Sequence, residues 1–160
     1  METNPIIEEL QAFAKLGWNA KQQDFFNQQA SDAKAVEMSP VASVFSPEEI
    51  KLIKTAVAPK QRQCYRNALL LAQLFPDKCK YVEGFGWSII RIDHAFNRVG
   101  DKYVDITWEL ALNEDVTKYH YVSMIEADFE QVIEDIAKFD NFTGDYYRHK
   151  YIERLKTQHA

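Results

Sequence analysis

Two strand-like runs separated by a two-residue turn constrain the fold of this 160-residue chain most. The runs cover residues 87–99 and 102–108 and are rich in β-branched and aromatic side chains. The turn, Gly100-Asp101, is typical of a tight β-hairpin. A loop of this length fixes the cross-strand register, and therefore which side chains share a face of the sheet.

The register predicts a histidine–carboxylate pair on one face of this hairpin. His94 faces Thr107, and Asp105 is the diagonal neighbour of His94 on the same face. Diagonal neighbours lie roughly 7–8 Å apart at the backbone, so the carboxylate can reach and orient the imidazole. Asp93 has the opposite parity and is excluded as the orienting acid.

A cysteine begins the apolar segment that precedes the strands. In QCYRNALLLAQLF, Cys64 opens a predicted helix over 64–75 that Pro76 ends, and the stretch ALLLA is apolar on nearly every face, as in a buried helix. A thiolate is favoured by a helix N-terminus and by a neighbouring imidazolium. We therefore predict a catalytic triad in which Cys64 is the nucleophile, His94 the base and Asp105 the orienting acid.

Residues beside the predicted triad suggest an oxyanion site and a cleft. Such a site combines the backbone N–H of the nucleophile with one further donor, which Gln63 or Gln61 could supply. We favour Gln63 because it adjoins Cys64. Trp87 and Trp108 flank the hairpin and are expected to line the substrate cleft.

Helical patterns flank this central region on both sides. We expect helices at about 3–15, 20–37, 47–56, 124–136 and 144–157, with capping boxes at Ser46–Glu49 and Ser123–Glu126, and strands at 80–85, 87–99, 102–108 and 118–122. This order predicts an α+β domain over 1–160. Within it, 1–45 form a helical extension, 46–125 the catalytic-like core and 126–160 the C-terminal helices.

Composition limits the function classes. The formal net charge is −5 and basic residues form no block, so we expect no nucleic-acid partner. No apolar stretch reaches the ~18 residues of a membrane span. The start METNPIIEELQAF lacks the features of a signal peptide, so a cytoplasmic protein is expected, with Cys64 and Cys79 as free thiols.

The residues quoted above resemble the papain-like superfamily, and within it the transglutaminase-like branch. The match rests on Cys64 opening a buried helix and on the runs YVEGF (81–85), HAFN (94–97) and VDIT (104–107). The resemblance covers about 61–108. It implies a buried Cys helix packed on a small antiparallel sheet, a Cys-His-Asp triad without cofactor or metal, and a protein or peptide-like substrate. Phe96 and Ile106 stand where that branch often has Trp and Pro.

Other interpretations remain open at this stage. A cysteine in an apolar helix is often a buried small hydrophobe, and a histidine on a strand is often structural. If Cys64 and His94 have only these structural roles, the chain is a non-catalytic protein-binding module, an inhibitor or adaptor of bacterial or phage origin. A zinc site from Cys64, Cys79, His94 and His120 has no supporting spacing. In the terminal helix, His149 and His159 are expected to be solvated, and its tyrosines to pack inward or bind a partner.

Overall fold

The computed structural model of the protein describes residues 3–158. His159, for which we predicted a solvated position, lies outside the described residues. Of the two capping boxes predicted from the sequence, the one at Ser46 is confirmed: the Ser46 hydroxyl accepts from the Glu49 N–H at 3.1 Å, while Glu49 accepts from the Ser46 N–H at 2.9 Å. This reciprocal pair satisfies two N–H groups that a helix start otherwise leaves free.

Residues 3–158 form six α-helices and one sheet. The helices are α1 Pro5–Ala14, α2 Ala20–Asp32, α3 Pro47–Leu52, α4 Cys64–Leu74, α5 Phe129–Lys138 and α6 Tyr146–Gln158. A π-helical turn, Ile53–Val57, extends α3, so the helical segment ends within one residue of the predicted 47–56.

The sheet has five antiparallel strands. They are β1 Lys34–Val36, β2 Cys79–Trp87, β3 Arg91–Val99, β4 Lys102–Val104 and β5 His120–Ala127, in the spatial order β1-β5-β2-β3-β4. The α+β class is therefore confirmed. Gly100 adopts a left-handed φ of 64°, and Val99 pairs with Lys102 as the two-residue turn predicts.

Two local predictions are wrong. Residues 34–36, predicted to be helical, form the edge strand β1 against β5. The second capping box, Ser123–Glu126, lies inside β5, which continues to Ala127. There Ser123 still donates to Glu126 at 2.7 Å, but Lys34, Arg98 and Tyr103 also bind that carboxylate and keep the segment in the sheet.

The helices bury one face of the sheet. Helix α4 packs on β2 and β3 through Ala68 and Ala72, against Tyr81 and Ala95 of the strands. Helices α1 and α2 cover another part, where Ile6 and Leu10 contact Phe85, Val122 and Met124. In α6, Tyr146, Tyr147 and Tyr151 are buried, so these aromatic side chains pack inward as one of the two predictions stated.

Candidate active site

Cys64 lies at the first position of α4. Its side chain is half-buried, and the preceding loop is fixed by Asn67, one turn further along the helix. Asn67 Oδ1 accepts from the Lys60 N–H at 3.1 Å, and Nδ2 donates to the Lys60 carbonyl at 2.7 Å and to Thr107 Oγ1 at 2.9 Å. The start of α4 is thereby joined to the segment that follows β4.

His94 and Asp105 form a buried pair. His94 Nε2 lies 2.7 Å from Asp105 Oδ2, and the two side chains are 3% and 0% exposed. The contact predicted from the hairpin register is therefore present, although it forms differently. β4 ends at Val104, and Asp105 lies in the bend that leads into a π-helical turn, Thr107–Ala111.

Asp105 is fully engaged by hydrogen-bond donors. Oδ1 accepts from the backbone N–H groups of Thr107 at 3.0 Å and Trp108 at 3.1 Å. Oδ2 accepts from the Tyr121 hydroxyl at 2.7 Å and is the oxygen that contacts His94. Donors on both oxygens hold the carboxylate in a fixed orientation.

The charge of this carboxylate dominates the protonation of His94. Burial lowers the pKa of His94, but the charge and hydrogen bond of Asp105 raise it by more, so the net pKa lies above 6.5. Contact with the Cys64 side chain contributes further, in the same direction and by a smaller amount. The imidazole is therefore positively charged at neutral pH, and the Cys64 side chain is near enough to contribute to that pKa.

Trp108 covers the imidazole. Its ring centroid lies 4.4 Å from that of His94, with 31° between the planes. Gly86 on β2 makes room for this indole, because a Cβ at that position would lie 2.7 Å from Trp108 Cη2. Trp108 thus separates His94 from bulk water.

The remaining predicted site residues have different surroundings. Gln63 is exposed and makes no side-chain capping bond, while Gln61 Nε2 contacts the Ala111 carbonyl at 3.5 Å. Gln63 directly precedes α4, and Gln61 lies two residues before Gln63. Trp87 packs against the cluster that includes Ile6, Leu10 and Phe85, whereas Trp108 packs against another cluster; that Trp87 lines a substrate cleft stays a prediction. Successive residues of β2 point to opposite faces, and Trp87 shares its parity with Phe85 rather than with Gly86.

Several residues that organise the site were not predicted. Tyr121, Asn67 and Gly86 belong to no local motif, since each meets the site only through tertiary contacts. The one usable signal was the alternation of side chains along β5. It places Tyr121 and Ser123 on one face of the sheet and Val122 on the other. His149 also differs from the prediction, because it is half-buried and stacks on Phe139 with centroids 5.0 Å apart.

The second thiol has a different environment. Burial raises the pKa of Cys79 to about 12, since its side chain lies in the core at the start of β2. Among residues 3–158, histidine, cysteine and acidic side chains form no group of three that could hold a metal ion. Over the same residues, no helix combines the length and apolarity that a membrane span needs.

Comparison with known proteins returns no relative: no family model matches the chain, and neither does any curated protein or solved structure.

Proposed function

We propose that this chain is a thiol-dependent enzyme that acts on an amide or related acyl bond, with a papain-like, transglutaminase-like arrangement of its site. The observation that carries the proposal is the buried His94–Asp105 pair placed beside Cys64 at the start of a helix. In such an arrangement the thiolate attacks the acyl carbon, and His94 protonates the leaving group. The acyl-enzyme thioester on Cys64 is then released to water or to an amine.

The surroundings of Cys64 support charge stabilisation during this reaction. The N–H groups in the first turn of α4 have no intrahelical acceptor, so they can donate to an oxyanion formed at Cys64. Gln63 and Gln61 are the candidate side-chain donors. A peptide-like substrate in the cytoplasm, handled without cofactor or metal, is part of the same proposal.

The test is the pH dependence of Cys64 alkylation by iodoacetamide. We expect labelling well below pH 8 in the wild-type protein, and at least tenfold slower labelling in His94→Ala, because the imidazolium no longer stabilises the thiolate. His120→Ala is the matched control, since it removes a half-buried strand histidine outside the pair. Cys79 serves as an internal reference because its raised pKa keeps it unreactive at neutral pH.

A second candidate function is a protein-binding module. The β2–β3 hairpin tip favours it, because Ile89 is 83% and Ile90 64% exposed. Ile89 and Ile90 are neighbours, and contiguous exposed apolar surface is typical of interaction sites. Slow alkylation with an ordinary thiol pH profile, unchanged in His94→Ala, would reject the enzyme and leave this alternative.

A further inference from the structure

Tyr121 contacts the same carboxylate oxygen as His94. Its hydroxyl donates to Asp105 Oδ2 at 2.7 Å, the atom that His94 Nε2 contacts at 2.7 Å, and its side chain is completely buried. Each oxygen of Asp105 therefore has two donors, because Oδ1 accepts from two backbone N–H groups.

The phenol is fixed from several directions. Its ring lies 5.3 Å from that of Phe96 and 5.5 Å from that of Trp108, measured between centroids. Its backbone carbonyl accepts from Asn4 Nδ2 at 3.1 Å, while Asn4 Oδ1 caps the start of α1 through the Ile6 N–H at 2.9 Å. The position of the hydroxyl is thus set by the core and by the N-terminal helix together.

We propose that Tyr121 is a positioning residue for the His94–Asp105 pair: its hydroxyl fixes the orientation of Asp105 Oδ2 and takes up part of the charge of that oxygen, which weakens the hydrogen bond from the imidazole. The inference rests on the proposed function, since it deepens the role given there to Asp105. Burial and the neighbouring carboxylate raise the pKa of Tyr121, so the phenol remains a donor throughout the working pH range.

Removing the Tyr121 hydroxyl should change the pKa of His94 in a defined direction. A hydrogen bond to a carboxylate disperses its negative charge, so two donors on one oxygen compete. Without the phenol hydroxyl, Oδ2 interacts more strongly with the His94 N–H. The imidazolium is then more stable, and the imidazole proton is lost at higher pH.

The test compares Tyr121→Phe with Tyr103→Phe by NMR of 15N-labelled histidine. Tyr103 is the matched control because it is also buried and packs on Phe96, but its hydroxyl donates to Glu126 at 2.6 Å. In Tyr121→Phe we expect the Nε2–H proton of His94 to move downfield and the pH at which His94 loses its proton to rise. Tyr103→Phe should leave both at the wild-type values.

A second measurement avoids deleting the hydroxyl. Uniform replacement of tyrosine by 3-fluorotyrosine makes the phenols stronger donors, and should move the His94 Nε2–H resonance in the opposite direction, upfield. A His94 titration that is unchanged in Tyr121→Phe, that moves to lower pH, or that matches Tyr103→Phe would overturn the inference. The alkylation test of Cys64 is separate from these spectra, so an inert thiol with the expected shifts would reject the enzyme alone.

Discussion

At the scale of single residues, Asp105 determines the charge of His94. Replacing it by Asn keeps the shape but removes the negative charge, so the buried imidazole loses its counterion. We expect Asp105→Asn to lower the free energy of unfolding by about 3 kcal/mol at pH 6. The folded pKa of His94 lies above its unfolded value of 6.5, so this stabilisation is complete below pH 6.5 and disappears as the pH rises through the folded pKa.

The measurement is urea unfolding of wild type and Asp105→Asn at pH 6 and at successively higher pH. The difference between the two proteins should shrink as the pH rises. Asp101→Asn, in the exposed hairpin turn, is the control and should stay within about 0.5 kcal/mol of wild type at every pH. A pH-independent difference for Asp105→Asn would contradict the ionised pair.

At the scale of elements, local patterns predicted what depends on local chemistry. The Ser46 cap, the hairpin turn and the start of α4 at Cys64 each follow from short stretches of sequence. The bend at Asp105 does not, because it forms when the side chain binds the Thr107 and Trp108 N–H groups instead of leaving them for a continued strand. The edge strand β1 also depends on a distant partner, β5. At Asp105 a local side-chain hydrogen bond therefore overrode strand propensity, and at β1 a tertiary contact overrode helix propensity.

The Trp108 side chain packs over β2 at Gly86, where the missing Cβ leaves room for the indole. Gly86→Ala would place a Cβ 2.7 Å from Trp108 Cη2, so the indole must move from its position against His94. We expect a loss of about 1–3 kcal/mol in unfolding free energy, together with a red-shifted tryptophan emission as the ring becomes wetter. Gly17→Ala is the control, because its Cβ would meet nothing within 4 Å. Equal stability and emission in both variants would show that Trp108 is not held by this contact.

At the scale of the whole molecule, one buried carboxylate joins the sheet to the C-terminal helix. Glu83 of β2 accepts from the N–H groups of Tyr146 and Tyr147, both at 3.1 Å, and from the Tyr81 hydroxyl at 2.5 Å. Glu83 is 4% exposed and binds the first turn of α6. Such a contact satisfies N–H groups that the helix cannot satisfy itself.

This carboxylate gives the fold a distinct pH dependence. Burial raises the pKa of Glu83 to about 7, although the Tyr81, Tyr147 and Tyr146 hydrogen bonds act in the opposite direction. In the unfolded chain the carboxyl group ionises near pH 4.5, so between about pH 4.5 and 7 the folded protein binds more protons than the unfolded chain. The free energy of unfolding therefore falls across this window, by roughly 3 kcal/mol from Glu83 alone.

Glu83→Gln removes the titrating group, and the unfolding free energy of wild type relative to this variant should fall steadily from pH 4.5 to 7 in urea titrations.

Glu126→Gln provides the control, because the pKa of Glu126 is shifted in the opposite direction. Burial raises the pKa of Glu126, but bonds from Tyr103, Ser123, Arg98 and Lys34 lower it by more, to about 2. Its stabilisation is present above pH 4.5 and is lost only as the pH falls toward 2, so its offset from wild type should be constant between pH 5.5 and 7. A Glu83→Gln offset that is also constant would mean that Glu83 stays ionised while it binds α6.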